Sequence, residues 1–144
     1  MSRYVLDTDV LVAAFRSGPG ASRQVLQAAR RRRFELLLSV PLILEYEAVL
    51  TRPEQLTACN ATKGDVEAVL DELAAVCRRV ELVIRPRPIL SDPNDEMVLE
   101  TAINGNADAI VTFDERDFLL GAARFGCMVL KPGDVLRALA KKEQ

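Results

Sequence analysis

The chain has 144 residues, is 49% hydrophobic and carries only seven glycines and seven prolines, so one folded core is within reach and disorder is excluded. A net charge of −2 excludes a uniformly basic surface, though not a local basic patch. The absence of histidine excludes histidine general-base triads, histidine-containing zinc sites and ribonucleases built on paired histidines; any catalysis rests on carboxylates, hydroxyls, lysine, arginine or a metal.

In chain order, Tyr4 to Leu6 reads as a short apolar strand and Val10 to Phe15 as a helical segment ending at the Gly18-Pro19-Gly20 break. A second helix begins at Ala21 or Ser22 and runs to about Arg32, with Val25, Leu26 and Ala29 as its apolar stripe. Phe34 to Val40 is the second strand. Pro41 suits a first helical turn capped by Ser39 or Val40, and that helix continues through Leu50 until Pro53 stops it. Thr62, three residues before Asp65, makes an acidic capping pattern ahead of a helix over Val66 to Val76, and Val80 to Ile84 is the third strand. Arg85 to Pro93 is a proline-rich rim loop. Asp92 and Pro93 then suit the cap and first position of a helix to about Asn104, with Gly105 past its end. Ala109 to Thr112 is the fourth strand, Asp114 to about Leu120 a helix, Cys127 to Leu130 the last strand, and Gly133 or Asp134 opens a final helix. The expected fold is one α/β domain over residues 1–144, with a mostly parallel sheet of about five strands covered by helices on both faces.

Four acids fall where strands end or helices begin: Asp7, Glu45, Asp95 and Asp114. In an open α/β sheet the carboxyl ends of the strands share one rim, so acids distant in sequence can meet there. Carboxylates pressed together repel unless a cation neutralises them, and all-oxygen ligation favours Mg²⁺ or Mn²⁺ over zinc. Each acid has a plainer explanation. Asp92 and Asp114 fit helix N-caps, and Asp95 sits where a capping-box acid reaches back. Glu45 borders an apolar helix face with Leu42, Tyr46 and Val49, but Glu47 borders the same face on its other side, so spacing does not choose between them. Asp7 resists such an explanation, because it ends an apolar strand where an unpaired charge is costly.

The segments Val5 to Leu11, Ser39-Val40-Pro41 with Glu45, Ser91 to Asp95 and Ala107 to Asp114 together resemble PIN-domain nucleases, most closely the toxins of bacterial toxin-antitoxin pairs, and the similarity spans nearly the whole chain in order. The resemblance implies a ribonuclease dependent on Mg²⁺ or Mn²⁺. Its acids would be Asp7, Glu45, Asp95 and Asp114, catalytic and metal-binding, with Thr112 and Asp117 supporting, and it selects Glu45 over Glu47. It further implies displacement at phosphorus by metal-activated water, an RNA substrate, a cognate antitoxin and a homodimer. Asp9 departs from the pattern, since such proteins often carry Asn there; its role as a fifth acid stays open.

Arg85 and Arg87 flank the rim loop and are the candidate RNA contacts, whereas Arg30 to Arg33 closes a helix and reads as a solvated cationic end. Asp7-Thr8-Asp9 also fits the opening of haloacid dehalogenase-like phosphatases, although that alternative gives Glu45 no task. A phospho-receiver domain and a non-catalytic acidic-pocket binding domain are further alternatives. No apolar run reaches about 18 residues and acids interrupt the first segment, so neither a membrane span nor a signal peptide is expected and a cytoplasmic location is. Three widely spaced cysteines without a CxxC pair read as buried, reduced thiols.

Overall fold

Arg3–Leu6 (β1) is the strand around which the others assemble. The computed structural model describes residues 1–16, 20–84 and 93–142, the side chains of Pro93 and Asn94 excepted. Within these residues β1 is joined by Glu35–Leu38 (β2), Arg78–Arg79 (β3), Ala109–Val111 (β4) and Met128–Leu130 (β5), all pairing in parallel in the order β3-β2-β1-β4-β5. Successive strand side chains point to opposite faces, yet Tyr4, Val5 and Leu6 are all buried, as are Leu36 to Leu38 and Ala109 to Val111. Both faces of the central strands are therefore covered, as a parallel sheet requires.

The covering helices are Thr8–Arg16 (α1), Ala21–Arg30 (α2), Val40–Leu50 (α3), Pro53–Cys59 (α4), Lys63–Val76 (α5), Pro93–Asn104 (α6), Glu115–Arg124 (α7) and Pro132–Lys142 (α8). Their ends follow local chemistry. The Ser39 hydroxyl accepts the Leu42 N–H at the start of α3, with Pro41 in the first turn. Thr62 and Asp65 form the full reciprocal capping box that opens α5. Midway along α3, the phenol of the fully buried Tyr46 donates to the Leu6 carbonyl at 2.5 Å and ties the helix to the carboxyl end of β1.

The element order expected from the sequence is present, with two corrections. The third strand is not Val80 to Ile84: β3 is Arg78–Arg79, and after the Val80 N–H bonds to Leu38 O the chain leaves the sheet. The Asn104 side chain accounts for this, accepting the N–H groups of Val83 and Ile84 at 3.0 and 2.7 Å and donating to Ile84 O at 2.8 Å. One amide thus takes over the backbone groups that a sheet neighbour would have used. Pro53 does not merely end a helix but begins α4, which closes at Asn60 in the left-handed conformation at φ 52°. The Gly18-Pro19 break lies outside the described residues, as do Arg85, Arg87, Ser91 and Asp92. Cys59, Cys77 and Cys127 are free and half-buried rather than buried, and burial pushes the Cys127 thiol up to about 11. No helix among the described residues is long and apolar enough to cross a membrane.

The strand order fixes where a site can form. From β1 the chain moves outward on one side to β2 and β3, then crosses to β4 and β5 on the other side, so the order reverses between β1 and β4. A crevice opens at the carboxyl ends of two such strands. Past the end of α6, a Cβ on Gly105 would lie 2.8 Å from Leu37 Cδ1 and 2.9 Å from Val80 Cγ2, so this helix terminus closes on β2 and β3 because position 105 is bare. Gly105→Ala should cost about 1–3 kcal/mol by overpacking, measured as a shift of the urea midpoint with an unchanged slope.

Candidate metal centre

The parallel register places Leu6 beside Val111, so the residues that follow, Asp7 and Thr112, emerge next to each other at the mouth of the crevice. The Asp7 N–H donates to Val111 O and the Thr112 N–H to Leu130 O, both at 2.9 Å, which extends the sheet pattern one residue beyond each strand. Asp7 is 7% exposed and Thr112 fully buried. The Thr112 hydroxyl donates to Asp7 Oδ2 at 2.8 Å and accepts the Asp114 N–H at 2.9 Å, while Asp9 Oδ2 lies 3.3 Å from it. A hydroxyl has one proton, so the shorter contact with Asp7 takes most of it. Asp7 Oδ1 accepts the Thr8 N–H at 2.8 Å, and Asp9 Oδ2 accepts the Phe113 N–H at 3.1 Å. Carboxylate oxygens of Asp7, Asp9 and Asp114 all lie within 4.8 Å of one another.

Burial first, and then the charges of Asp9 and Asp95, push the Asp7 carboxyl up to about 7, against the bonds from Thr112 and Thr8 that hold it down. Burial also raises Asp9, with Asp114 adding to the effect and the Phe113 N–H opposing it. Asp9 Oδ1 is buried with no hydrogen-bond partner. A crowded set of carboxylates with an orphaned oxygen is what a hard divalent cation would complete, and an all-oxygen donor set suits Mg²⁺ or Mn²⁺. The residues present fit such an ion.

The sequence-derived acids are not gathered equally. Asp7 and Asp114 join the tight group, and Asp9 takes a full place in it. Asp95, in the first turn of α6, is close enough for its charge to act on Asp7 without belonging to that group. Glu45 is half-buried on α3, one residue before the Tyr46 anchor, and also stands outside it; Glu47 is exposed, so burial distinguishes the two. The plainer account of Asp114 fails. It occupies the N-cap position of α7 but its side chain makes no capping bond. Asp117 is exposed and lines an open cavity of about 340 Å³ with Phe113, Asp114, Glu115, Arg116 and Lys131.

A family model described as PIN domain matches residues 3–116. The chain belongs to the PIN domain family. In fold, this PIN domain is similar to a chain in the crystal structure of VapBC2 from Rickettsia felis bound to a DNA fragment from their promoter, with a TM-score of 0.59 and 15% identity, covering 90% of this chain and 98% of that one. No curated protein matches the sequence. Family membership sets aside the phosphatase and receiver alternatives, and the sheet order is itself at odds with the 2-1-3-4-5 order of receiver domains.

Of the two cations of the cavity beside Asp114, the sequence marks Lys131 only as the lysine after the last strand, a feature of the receiver alternative, and does not mark Arg116. Lys131 follows β5 directly and pairs with Glu115 at 3.9 Å. Arg30 behaves as a helix-end cation, paired with Glu72 at 2.5 Å. The run it begins leads into Glu35, which pairs with Arg3 at the amino ends of the strands, opposite the acids.

The folded PIN domain holds the Asp7 proton more tightly than the unfolded chain, whose carboxyl keeps its ordinary value of 3.8. The stability linked to that proton is complete below the ordinary value and is lost as pH rises through about 7. Without metal, the Tm should therefore fall as pH is raised from about 5 to about 8, and Asp7→Asn should flatten the decline.

Proposed function

We propose that this PIN domain is a divalent-metal-dependent ribonuclease, acting as the toxin of a toxin-antitoxin pair. The observation that carries the proposal is the meeting of Asp7, Asp9 and Asp114 around the Thr112 hydroxyl at the β1–β4 crevice, with one buried carboxylate oxygen left without a donor. Family membership supports nuclease chemistry, since PIN domains are generally metal-dependent nucleases. The likeness in fold to a chain of VapBC2 supports an antitoxin as partner. RNA as substrate and a homodimer as the assembled state belong to the same proposal.

Asp7, Asp95 and Asp114 would hold the ion, with Glu45 as a further ligand or an orienter of the attacking water. A divalent ion bound there supplies an activated water and neutralises charge on the leaving oxygen. Thr112 keeps the Asp7 carboxylate in position: its hydroxyl fixes one oxygen, the Thr8 N–H fixes the other, and each oxygen retains a second lone pair. Arg116 and Lys131, the latter beside Glu115 at 3.9 Å, are the cations nearest the acids in the cavity at Asp114 and would be the ones to contact RNA phosphates. Tyr46 takes no part in proton transfer, because burial and then the Asp7 charge hold its phenol well above its usual range and its proton is committed to Leu6 O.

Purified protein should cleave single-stranded or structured RNA in Mg²⁺ or Mn²⁺ and be silent in EDTA. Asp7→Asn should lower the rate by at least ~100-fold, and Thr112→Val should weaken metal-dependent cleavage by about 10–100-fold, as expected for loss of a ligand-orienting partner. Cleavage that survives EDTA or Asp7→Asn would overturn the metal mechanism. For the toxin role, induced expression should arrest bacterial growth while the Asp7→Asn protein does not, and equal growth of the two cultures counts against it.

A further inference from the structure

Position 9 is better suited to an ion than to the fold. The two oxygens of Asp9 have different surroundings. Oδ2 is held by the Phe113 N–H at 3.1 Å and lies 3.3 Å from the Thr112 hydroxyl oxygen. Oδ1 is buried and has no hydrogen-bond partner, a condition that ordinarily costs stability. An asparagine would serve the fold better. Its carbonyl oxygen would still accept the Phe113 N–H, and its amide, in the place of Oδ1, would bring a donor into a cluster where one oxygen each of Asp7, Asp9 and Asp114 lies within 4.8 Å of the others. The location of Asp9 in the first turn of α1 makes a negative charge tolerable there, but a helix terminus does not give Oδ1 a partner.

We propose that Asp9 is itself a ligand of the divalent cation and divides its two oxygens between tasks: Oδ2 locks the loop after β4 to the start of α1, and Oδ1 is kept for the ion. The proposal rests on the metal-dependent reading of the site and adds to it a ligand at the position where the resemblance leads one to expect an amide. Asp7 and Asp9, two residues apart at one helix start, then face Asp114 across the crevice. The Phe113 N–H, donating to the Asp9 carboxylate, joins the two sides.

The test is Mn²⁺ titration by calorimetry, together with thermal melting with and without Mn²⁺, on the wild-type protein and Asp9→Asn. Wild type should bind Mn²⁺ and melt higher with it. Asp9→Asn should melt higher than wild type in EDTA, since a repelling charge becomes a donor, and should bind Mn²⁺ about 10–100-fold more weakly. Equal Mn²⁺ affinity in the two proteins would overturn the role of Asp9 while leaving the metal site standing. An Asp9→Asn protein less stable than wild type in EDTA, or unable to fold, would show that the carboxylate serves the fold and would overturn it as well. A wild-type protein indifferent to Mn²⁺ in both measurements would remove the metal reading and this ligand together.

Discussion

The parallel pairing of β1 with β4 is the constraint on which the site depends. Once Leu6 lies beside Val111, Asp7 and Thr112 have no choice but to emerge side by side, and residues 105 apart in sequence come within one hydrogen bond. Neither strand is long, and each keeps its place because Tyr4 to Leu6 and Ala109 to Val111 are buried on both faces of the sheet. The Tyr46 phenol on Leu6 O and the Leu130 carbonyl on the Thr112 N–H extend the same order to α3 and β5. The crevice is therefore built on strand ends locked by the core, which gives its side chains the precision that loops lack.

At that crevice, stability and function oppose each other. Three carboxylates crowd together and Asp95 adds its charge from α6, while the N–H groups of Thr8 and Phe113 and the Thr112 hydroxyl donate to Asp7 and Asp9. Burial makes matters worse for the ionised forms and is the largest cause of the raised Asp7 and Asp9 carboxyls. A core of this size tolerates one such cluster because the remaining buried polar groups are well placed. Ser39 and Thr101 share a hydrogen bond at 2.7 Å, and Gln55 accepts from Arg16 at 2.8 Å. Local strain at a site, offset by good packing elsewhere, is the expected pattern for a functional centre.

The conspicuous charged groups of the sequence lie at opposite ends of the strands. Acids occupy the carboxyl rim of the sheet together with Arg116 and Lys131, while the arginine run from Arg30 to Arg33 lies before the amino end of β2. Density of charge in sequence is a poor guide here, because a helix end accumulates cations for reasons of its own dipole.

Much of the architecture was legible from one dimension. Alternating apolar runs and helix signals gave the order of elements, and Pro41 and the Thr62–Asp65 pair marked helix starts correctly, because caps and proline act within one turn of chain. The same locality explains the acids: residues after buried strands declare themselves as Asp7 and Asp114 do. What the sequence could not contain was any effect decided across space. The Asn104 side chain, from the end of α6, stripped Val80 to Ile84 of its expected strand, although the segment is as apolar as a strand should be. Spacing could not separate Glu45 from Glu47, which burial against the rest of the fold does. Asp9 looked like a departure of uncertain meaning until the loop after β4 folded over it, pairing one oxygen and leaving the other bare. Patterning and capping are properties of neighbours in the chain, and the sequence alone determined those; the membership of the acid cluster was decided by strand register and by which lone pairs found donors, and only the tertiary structure sets these.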